Sequence, residues 1–445
     1  MKRALRVGGS ALGCLLTVTA LTMTAQQPAK DPGVRKTAPG AGGTIHGLTP
    51  DEQVLFDFLT SEFVQAHSIT GALPNESGNG LGPGYNANGC GVCHSFPAFG
   101  GSSPLLNPQI AQATLDGARN TIPSFLSLNG PVREARFVRN PDGTPDGGVH
   151  DLFTIQGRVD APGCKLAQPD FATALAQNNV IFRIPTPMFG AGLIENIPES
   201  AIIAFKNADV ATKAALGISG HENRNPNDGT ITRFGWKAQN KSLLMFSGEA
   251  YNVEMGVTND LFTNERNMVA GCNFNTQPED HLLYANDVAD GGGTSGMQHF
   301  ATFGRLLAPP TPWPANTSTQ QGFNNFIAVG CIRCHRQVYV TDVSDLAALS
   351  QQNANLYSDL LVHHMGTNLA DGITQGLAGP DEFRTAPLWG IGQRYYFLHD
   401  GRTSDLLQAI LAHQSPGSEA NVVISKFLAL TEAQKQDLLN FLRSL

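Results

Sequence analysis

Two copies of one short cysteine motif constrain this chain more than any other feature of its sequence. The copies span Cys90–His94 and Cys331–His335, and both read Cys-x-x-Cys-His. This is the attachment motif of c-type haem, in which two thiols bind the ring covalently and the adjacent histidine binds the iron. A redox CxxC needs no histidine after its second cysteine, and a four-cysteine zinc site usually keeps its pairs much closer. The sequence therefore predicts two covalent haem c groups, whose attachment residues and iron ligands are Cys90, Cys93, His94, Cys331, Cys334 and His335.

Three cysteines lie outside the motifs. Cys14 belongs to the N-terminal segment, which leaves Cys164 and Cys272. In an oxidising compartment two leftover cysteines often pair. A disulfide between Cys164 and Cys272 is therefore favoured over the alternative, two buried free thiols.

The N-terminus predicts export. The basic residues Lys2, Arg3 and Arg6 precede an apolar stretch that ends in small residues near Ala25. This order is typical of a secretory signal peptide over 1–25, and the apolar run is shorter than the ~20 residues of a membrane span. We expect a flexible Pro/Gly/Lys-rich leader at 26–48, followed by a soluble protein that is periplasmic or otherwise exported.

Composition excludes several classes of function. The net charge is −8 and there is no basic run, so neither nucleic acid nor an anionic membrane is an expected partner. Charged residues make up 15 % and hydrophobic residues 41 %, which does not resemble a disordered chain. With 48 glycines and 27 prolines, we expect a fold rich in loops.

Helix-start signals occur near both ends of the chain. Thr49–Glu52 has a Thr cap, Pro at the first position and Glu at the third, and Thr431–Gln434 is a second capping box. Apolar residues follow each start at helical spacing. They are Val54, Leu55, Phe58, Leu59 and Phe63 in the first segment, and Leu438, Leu439, Phe441 and Leu442 in the second.

A weak internal repeat links the two halves. Leu243 follows Trp236 by seven residues, and Leu406 follows His399 by seven. Each element lies downstream of its own haem motif, with a much longer gap in the first half, which indicates an insertion there. We predict a mainly α fold of two c-type cytochrome domains with long loops, the first haem domain at 49–300 and the second at 301–445.

Several further motifs follow one another along the chain. They are Gly89–His94, Arg233–Gln239, Glu254–Thr258, Leu307–Pro310, Pro387–Gly392 and Leu398–Arg402. In this order they resemble the bacterial di-haem oxidoreductase family, often labelled "thiol oxidoreductase". More distantly, the chain is similar to di-haem cytochrome c peroxidases and to the methylamine dehydrogenase maturation enzyme. The resemblance covers roughly residues 50–445 and implies haem-based oxidoreductase activity.

The resemblance implies a sixth iron ligand for the second haem. In di-haem peroxidases a methionine binds that iron, and His413 stands at the matching place here, 14 residues after His399. The alternatives are His363 or Met365 as the ligand, and a solvent-facing His413. Two histidine ligands should give a lower reduction potential than a histidine and a methionine.

The first haem is expected to be open. The peroxidases place a ligand histidine in a loop after the motif, but here no histidine occurs between His94 and His150. The resemblance makes Glu254 the catalytic acid–base, against the alternative of an exposed or ion-paired helix residue. Phe246 stands where a glutamine usually accompanies that glutamate, which predicts a less polar pocket.

Two further assignments rest on the resemblance. Trp236 matches the tryptophan that lies between the haems, where an aromatic ring shortens electron transfer; the alternative is a core tryptophan. The relatives also hold a Ca²⁺ through backbone carbonyls, for which Thr385 and Pro387 are the nearest matches.

Two functions from different classes follow. The first is an enzyme that reduces H₂O₂ or oxidises another small molecule at the first haem, with electrons passing from a small redox partner protein through the second haem and Trp236. The second is an electron-transfer cytochrome with two closed haems and no substrate turnover. A remoter possibility is oxygen-dependent cleavage at an open haem, as in rubber oxygenases.

Overall fold

The computed structural model describes residues 1, 27–36, 40–281 and 295–445. Apart from Met1, the predicted signal peptide and its Cys14 lie outside the described residues. Within the described part of the chain, every helix is too short or too polar to cross a membrane.

Helices are the main regular elements and make up 31 % of the structure. Short 3₁₀ turns occur at Leu115–Gly117, Cys331–Arg333, Ala347–Leu349 and Ile391–Gln393. The α-helices are α1 (Pro50–Val64), α2 (Cys90–Cys93), α3 (Gln109–Gln112), α4 (Phe171–Ala176), α5 (Ala191–Glu195), α6 (Glu199–Asn207), α7 (Val210–Leu216), α8 (Leu243–Met255), α9 (Gly296–Leu306), α10 (Thr317–Val329), α11 (Leu406–Leu411), α12 (Asn421–Leu428) and α13 (Glu432–Ser444).

Strands contribute 12 %, so the fold is mixed and the prediction of a mainly α fold is only partly correct. The strands are β1 (Gly84–Tyr85), β2 (Glu134–Phe137), β3 (Val149–His150), β4 (Phe153–Thr154), β5 (Val180–Arg183), β6 (Tyr339–Val340), β7 (Asn353–Ala354), β8 (Val362–His364) and β9 (Glu382–Arg384). They form small antiparallel sheets in the orders β1-β4, β3-β2-β5, β6-β7 and β8-β9. Strands this short carry too little periodicity to be recognised in a sequence.

The first motif lies beside a helical core built by α1, α8 and α9. Both predicted features of the start of α1, the Thr49 cap and the Glu52 capping box, are confirmed. The predicted apolar face is only partly correct: Leu59 and Phe63 are buried, whereas Val54, Leu55 and Phe58 are 69 %, 41 % and 47 % exposed. Phe56, which was not predicted, completes the buried face. The buried side chains pack with Tyr251, Met255, Phe300 and Phe303 of α8 and α9, next to Cys90.

The second motif lies beside a core built by α10, α12 and α13. The predicted capping box at Thr431 is confirmed, and so is the apolar face of α13, whose four predicted side chains are all buried. Gly322 of α10 lets the two helices approach closely, since a Cβ there would lie 1.9 Å from the backbone oxygen of Asp437. Cys331 and Cys334 pack against this core.

The insertion between the first motif and α8 shares a core with the segments on either side of it. Phe153 and Cys164 of the insertion pack there with Ile69, Leu81 and Tyr85, which precede the motif. Cys272, which follows α8, belongs to the same core and is disulfide-bonded to Cys164. The disulfide is the pairing favoured by the sequence, and it closes a separation of 108 residues.

The internal repeat is confirmed as two turns of the same shape. The backbone of Phe234 forms a β-bridge with that of Asn240, and Phe397 pairs with Thr403 in the same way. The first turn leads into α8 and the second into α11. The second and fifth positions of both turns have positive φ: Gly235 (84°) and Ala238 (51°) in the first, Leu398 (66°) and Gly401 (66°) in the second. Trp236 and His399 occupy the same third position.

The described parts of the 26–48 segment are not free. Asp31 forms an ion pair with Arg443 (2.6 Å) and accepts a hydrogen bond from the Leu406 backbone, while Ala29 donates to Glu432 (2.7 Å). The prediction of a flexible leader does not describe these residues. A Pro/Gly-rich composition gave no sign of these contacts, because each joins residues that are hundreds of positions apart.

Candidate haem sites

Both motif histidines are oriented in the same way. The ring Nδ1 of His94 lies 2.9 Å from the carbonyl oxygen of Gly101, and that of His335 lies 3.0 Å from the carbonyl oxygen of Tyr357. A backbone carbonyl at Nδ1 sets the tautomer in which Nδ1 donates and Nε2 keeps its lone pair. Each histidine therefore has Nε2 available for a metal, beside two unpaired cysteines.

Each motif forms one wall of a large cavity. The first cavity, at Cys90, Cys93 and His94, has a volume of about 150 Å³. The second, at Cys331, Cys334 and His335, has a volume of about 210 Å³.

The cavities fit the haem c groups that the motifs imply. The paired thiols and the free Nε2 of each histidine supply the covalent and axial attachment points. Each cavity also has a buried guanidinium nitrogen without a hydrogen-bond partner, Arg183 Nε in the first and Arg394 Nε in the second. These donors are available to an anionic group. These residues would hold the groups.

Glu254 lies in the first cavity as one of two interacting carboxyl groups. Its partner is Glu134 of β2, whose carboxyl group lines the same cavity. Burial and the neighbouring Glu134 hold the pKa of Glu254 well above its usual range. Burial opposes the ionisation of Glu134, but Arg136 at 2.6 Å overcomes it and lowers its pKa to about 2. The pair therefore carries one proton near neutral pH.

Sequence reasoning missed Glu134 and Arg136. They alternate along β2, so both side chains leave the same face of the strand. That spacing is a usable signal, but β2 has only four residues and no pattern marked it as a strand. Glu134 pairs with Glu254 only through tertiary structure.

The first cavity combines Phe246 with polar side chains. Phe246 lines it together with Arg183, Gln239 and Glu249. Gln239 comes from the repeated turn rather than from α8. Residues from other segments thus supply polar groups here, and a pocket less polar than that of the peroxidases stays a prediction.

Side chains that can bind iron are unequally distributed between the two cavities. Among the described residues that line the first cavity, His94 is the only histidine, with the methionines Met188 and Met255 as thioether groups. The second cavity is lined by His335, His363, His399, His413 and Met365.

The hydrogen bonds separate the three candidate ligands of the second cavity. His413 uses Nδ1 on the carbonyl oxygen of Ala409 (2.8 Å), which leaves Nε2 available. It lies two residues beyond the C-terminal end of α11. His363 has both ring nitrogens engaged, Nδ1 with Glu419 (2.7 Å) and Nε2 with Asp359 (3.0 Å). Met365 lines the cavity and packs beside Trp236.

Trp236 lines both cavities. Its indole nitrogen donates to the carbonyl oxygen of Ile184 (2.9 Å), and it packs in a small core with Phe383 and Tyr396.

The predicted calcium site depends on the backbone carbonyl oxygens of Thr385 and Pro387. The Thr385 carbonyl oxygen already accepts a hydrogen bond from the Ser358 hydroxyl (2.5 Å). Calcium at Thr385 and Pro387 stays a prediction.

A family model described as "Di-haem oxidoreductase, putative peroxidase" matches residues 134–445. The chain belongs to this family. The matched range of this di-haem oxidoreductase includes the second motif, Cys331–His335, whereas the first motif lies before residue 134. The resemblance read from the sequence motifs is confirmed.

Solved structures show weaker similarity. Hydrazine synthase of Kuenenia stuttgartiensis is 13 % identical, with a TM-score of 0.37, over 97 % of this chain and 100 % of that chain. The diheme peroxidase BthA of Burkholderia thailandensis is 13 % identical (TM-score 0.32, 59 % of this chain, 86 % of that chain). A MauG-like protein associated with microbial copper homeostasis is 16 % identical (TM-score 0.28, 59 % and 91 %). A search among curated proteins found no match.

Proposed function

We propose that this di-haem oxidoreductase is an exported c-type peroxidase-like enzyme that reduces peroxide at an open haem attached to Cys90 and Cys93. The observation that carries the proposal is the difference between the cavities. The first combines His94 with the neighbouring carboxyl groups of Glu134 and Glu254, whereas the second offers His413 as a second nitrogen ligand.

Each haem would belong to its own cytochrome domain, at 49–300 and 301–445. The separate helical cores beside the two motifs support this division. Export is supported by the signal-like N-terminus, by the disulfide between Cys164 and Cys272, and by the motifs themselves, since c-type haem is attached outside the cytoplasm.

The second haem would be a closed electron carrier with His335 and His413 as its ligands. His363 is a poor rival, because binding iron would cost it one of two buried ion pairs, with Asp359 or Glu419. Met365 stays the alternative ligand. Electrons would arrive from a small redox partner protein, and Trp236, which borders both cavities, would shorten the path to the first haem.

A bound haem supplies a redox-active iron to which peroxide can add on an open face. Reduction of H₂O₂ to two waters takes up two electrons from the donor and two protons, and it needs a proton moved from one oxygen to the other. The pair Glu134 and Glu254 suits this task, because a half-protonated pair both accepts and donates a proton. Arg136 keeps the negative charge on Glu134, so the proton stays on Glu254.

Peroxide turnover by the purified holoprotein tests the proposal. With a reduced small cytochrome as donor, we expect peroxide-dependent oxidation that cyanide inhibits, and a loss of about 10²–10⁴-fold in Glu254→Gln with both haems retained. Wild-type protein that carries two haems but does not react with peroxide or cyanide would overturn it.

That second outcome would favour the electron-transfer cytochrome. Met188 and Met255 are the observation that keeps this candidate, since either thioether could close the first haem. Met188 is the weaker of the two: its methyl group lies against Gly304 of α9, where an added Cβ would be 3.2 Å away.

A further inference from the structure

Two arginines in the wall of the second cavity have no acidic partner among the residues that the structure describes. Arg394 follows the 3₁₀ turn Ile391–Gln393, and its Nε and one terminal nitrogen are buried without a hydrogen bond. Arg384 ends β9; it donates from Nε to the carbonyl oxygen of Gly235 (3.0 Å), and its terminal nitrogens bond to no described residue. Both side chains line the cavity beside Cys331 and His335.

The electrostatics of these arginines differ from those of the ion-paired buried arginines. Burial alone lowers the pKa of Arg384 and of Arg394 to about 10, with no described carboxylate near enough to oppose it. By contrast, buried Arg158 and Arg183 each form an ion pair with a carboxylate. A buried charge without a partner is destabilising, so an anion bound at Arg384 and Arg394 would stabilise the site.

The acidic side chain in this cavity cannot serve. Among the described lining residues only Glu419 is acidic, and its carboxylate is held by His363 (2.7 Å) and by the backbone and hydroxyl of Ser219 (2.8 and 3.1 Å). An anion for the two arginines would therefore come from a group bound in the cavity. Guanidinium groups bind carboxylates through paired, charge-assisted hydrogen bonds.

We infer that Arg384 and Arg394 bind the propionate carboxylates of the haem attached at Cys331 and Cys334. This inference rests on the proposed function, because it needs a haem in the second cavity. Arg384 is placed at the junction of the cavities, since its backbone nitrogen donates to the carbonyl oxygen of Trp236 (2.8 Å). It would thus fix one edge of the haem beside the proposed bridging residue.

Binding by arginine has a measurable electronic consequence. Two cations that neutralise the propionates make the oxidised, more positive state of the haem less favourable and raise its reduction potential. With an arginine removed, the propionate charge is uncompensated in a buried site, and its pKa rises. The potential then falls, and it becomes dependent on pH over the range in which the propionate titrates.

The test is spectroelectrochemistry of the holoprotein in Arg394→Gln and Arg384→Gln, with Arg224→Gln as the control. Arg224 is a more exposed arginine paired with Glu222 (2.8 Å), away from both cavities. We expect a lower, pH-dependent midpoint potential for the second haem in both cavity variants, an unchanged potential in the control, and partial rescue in Arg394→Lys. The propionate bending bands in resonance Raman spectra should shift in the same variants.

The outcomes separate this inference from the proposed function. Unchanged potentials and Raman bands in protein that keeps both haems would overturn the propionate assignment and leave the peroxidase proposal standing. A wild-type potential that shifts on addition of acetate would also overturn it, since a free carboxylate would then occupy the arginines. If a glutamine variant does not mature, Raman spectra of Arg394→Lys still decide the question.

Discussion

Trp236 and His399 occupy the same position in two repeated turns, and their rings meet edge to face with centroids 6.4 Å apart. His399 also stacks on Phe383 (4.2 Å), and burial lowers its pKa to about 4, so the imidazole is neutral. The two halves of the chain thus meet through equivalent residues between the two cavities.

Replacing Trp236 with Phe should separate peroxide binding from turnover. The smaller ring has no indole N–H for the carbonyl of Ile184 and leaves a gap beside His399. We expect slower electron transfer between the haems, measured by stopped-flow spectroscopy after mixing with peroxide, while peroxide binding at the first haem keeps its rate. Equal inter-haem rates in wild type and variant would remove Trp236 from the electron path.

Replacing Glu134 with Gln should move the pH profile of peroxide reduction. The negative charge of Glu134 raises the pKa of Glu254, so a neutral Gln lowers it. Glu254 then loses its proton at lower pH, and the alkaline limb of kcat/KM shifts to lower pH. Glu249→Gln is the matched control, because Glu249 lines the same cavity but is hydrogen-bonded to Asn240. An unmoved limb in Glu134→Gln would exclude a shared proton.

Replacing His413 with Ala should open the second haem. Loss of the sixth ligand converts a low-spin ferric haem to high spin, which electron paramagnetic resonance detects, whereas Met365→Leu should leave it low-spin. The reverse pattern would make Met365 the ligand.

Replacing His363 with Gln should keep the ligation of the second haem but lower the free energy of unfolding by about 3–5 kcal/mol, since it leaves Asp359 and Glu419 buried without their cation.

A structural feature could be predicted from the sequence where its residues are close together along the chain. The haem motifs, the caps of α1 and α13 and the repeated turns are contiguous, and the structure confirms these caps and turns. Other features join segments that are distant in the sequence, and no local residue spacing predicts them. Examples are the pair Glu134–Glu254 and the ion pair Asp31–Arg443. The polar wall of the first cavity was missed for the same reason, because Gln239 reaches it from a turn and not from α8.

Removing the disulfide should destabilise the insertion without affecting the haems. Cys164→Ser with Cys272→Ser frees a loop of 108 residues and should cost about 2–5 kcal/mol in the free energy of unfolding. Chemical denaturation followed by circular dichroism measures the change, and reductant-treated wild type should show the same loss. Identical unfolding curves for variant and wild type would show that packing around Tyr85 and Phe153 suffices.

Electron paramagnetic resonance of the fully oxidised, matured holoprotein tests the central claim most directly. An open haem at Cys90–His94 beside a closed haem at Cys331–His335 predicts one high-spin and one low-spin ferric signal of equal intensity, with cyanide converting only the high-spin signal. Two low-spin signals that do not respond to cyanide would contradict the account.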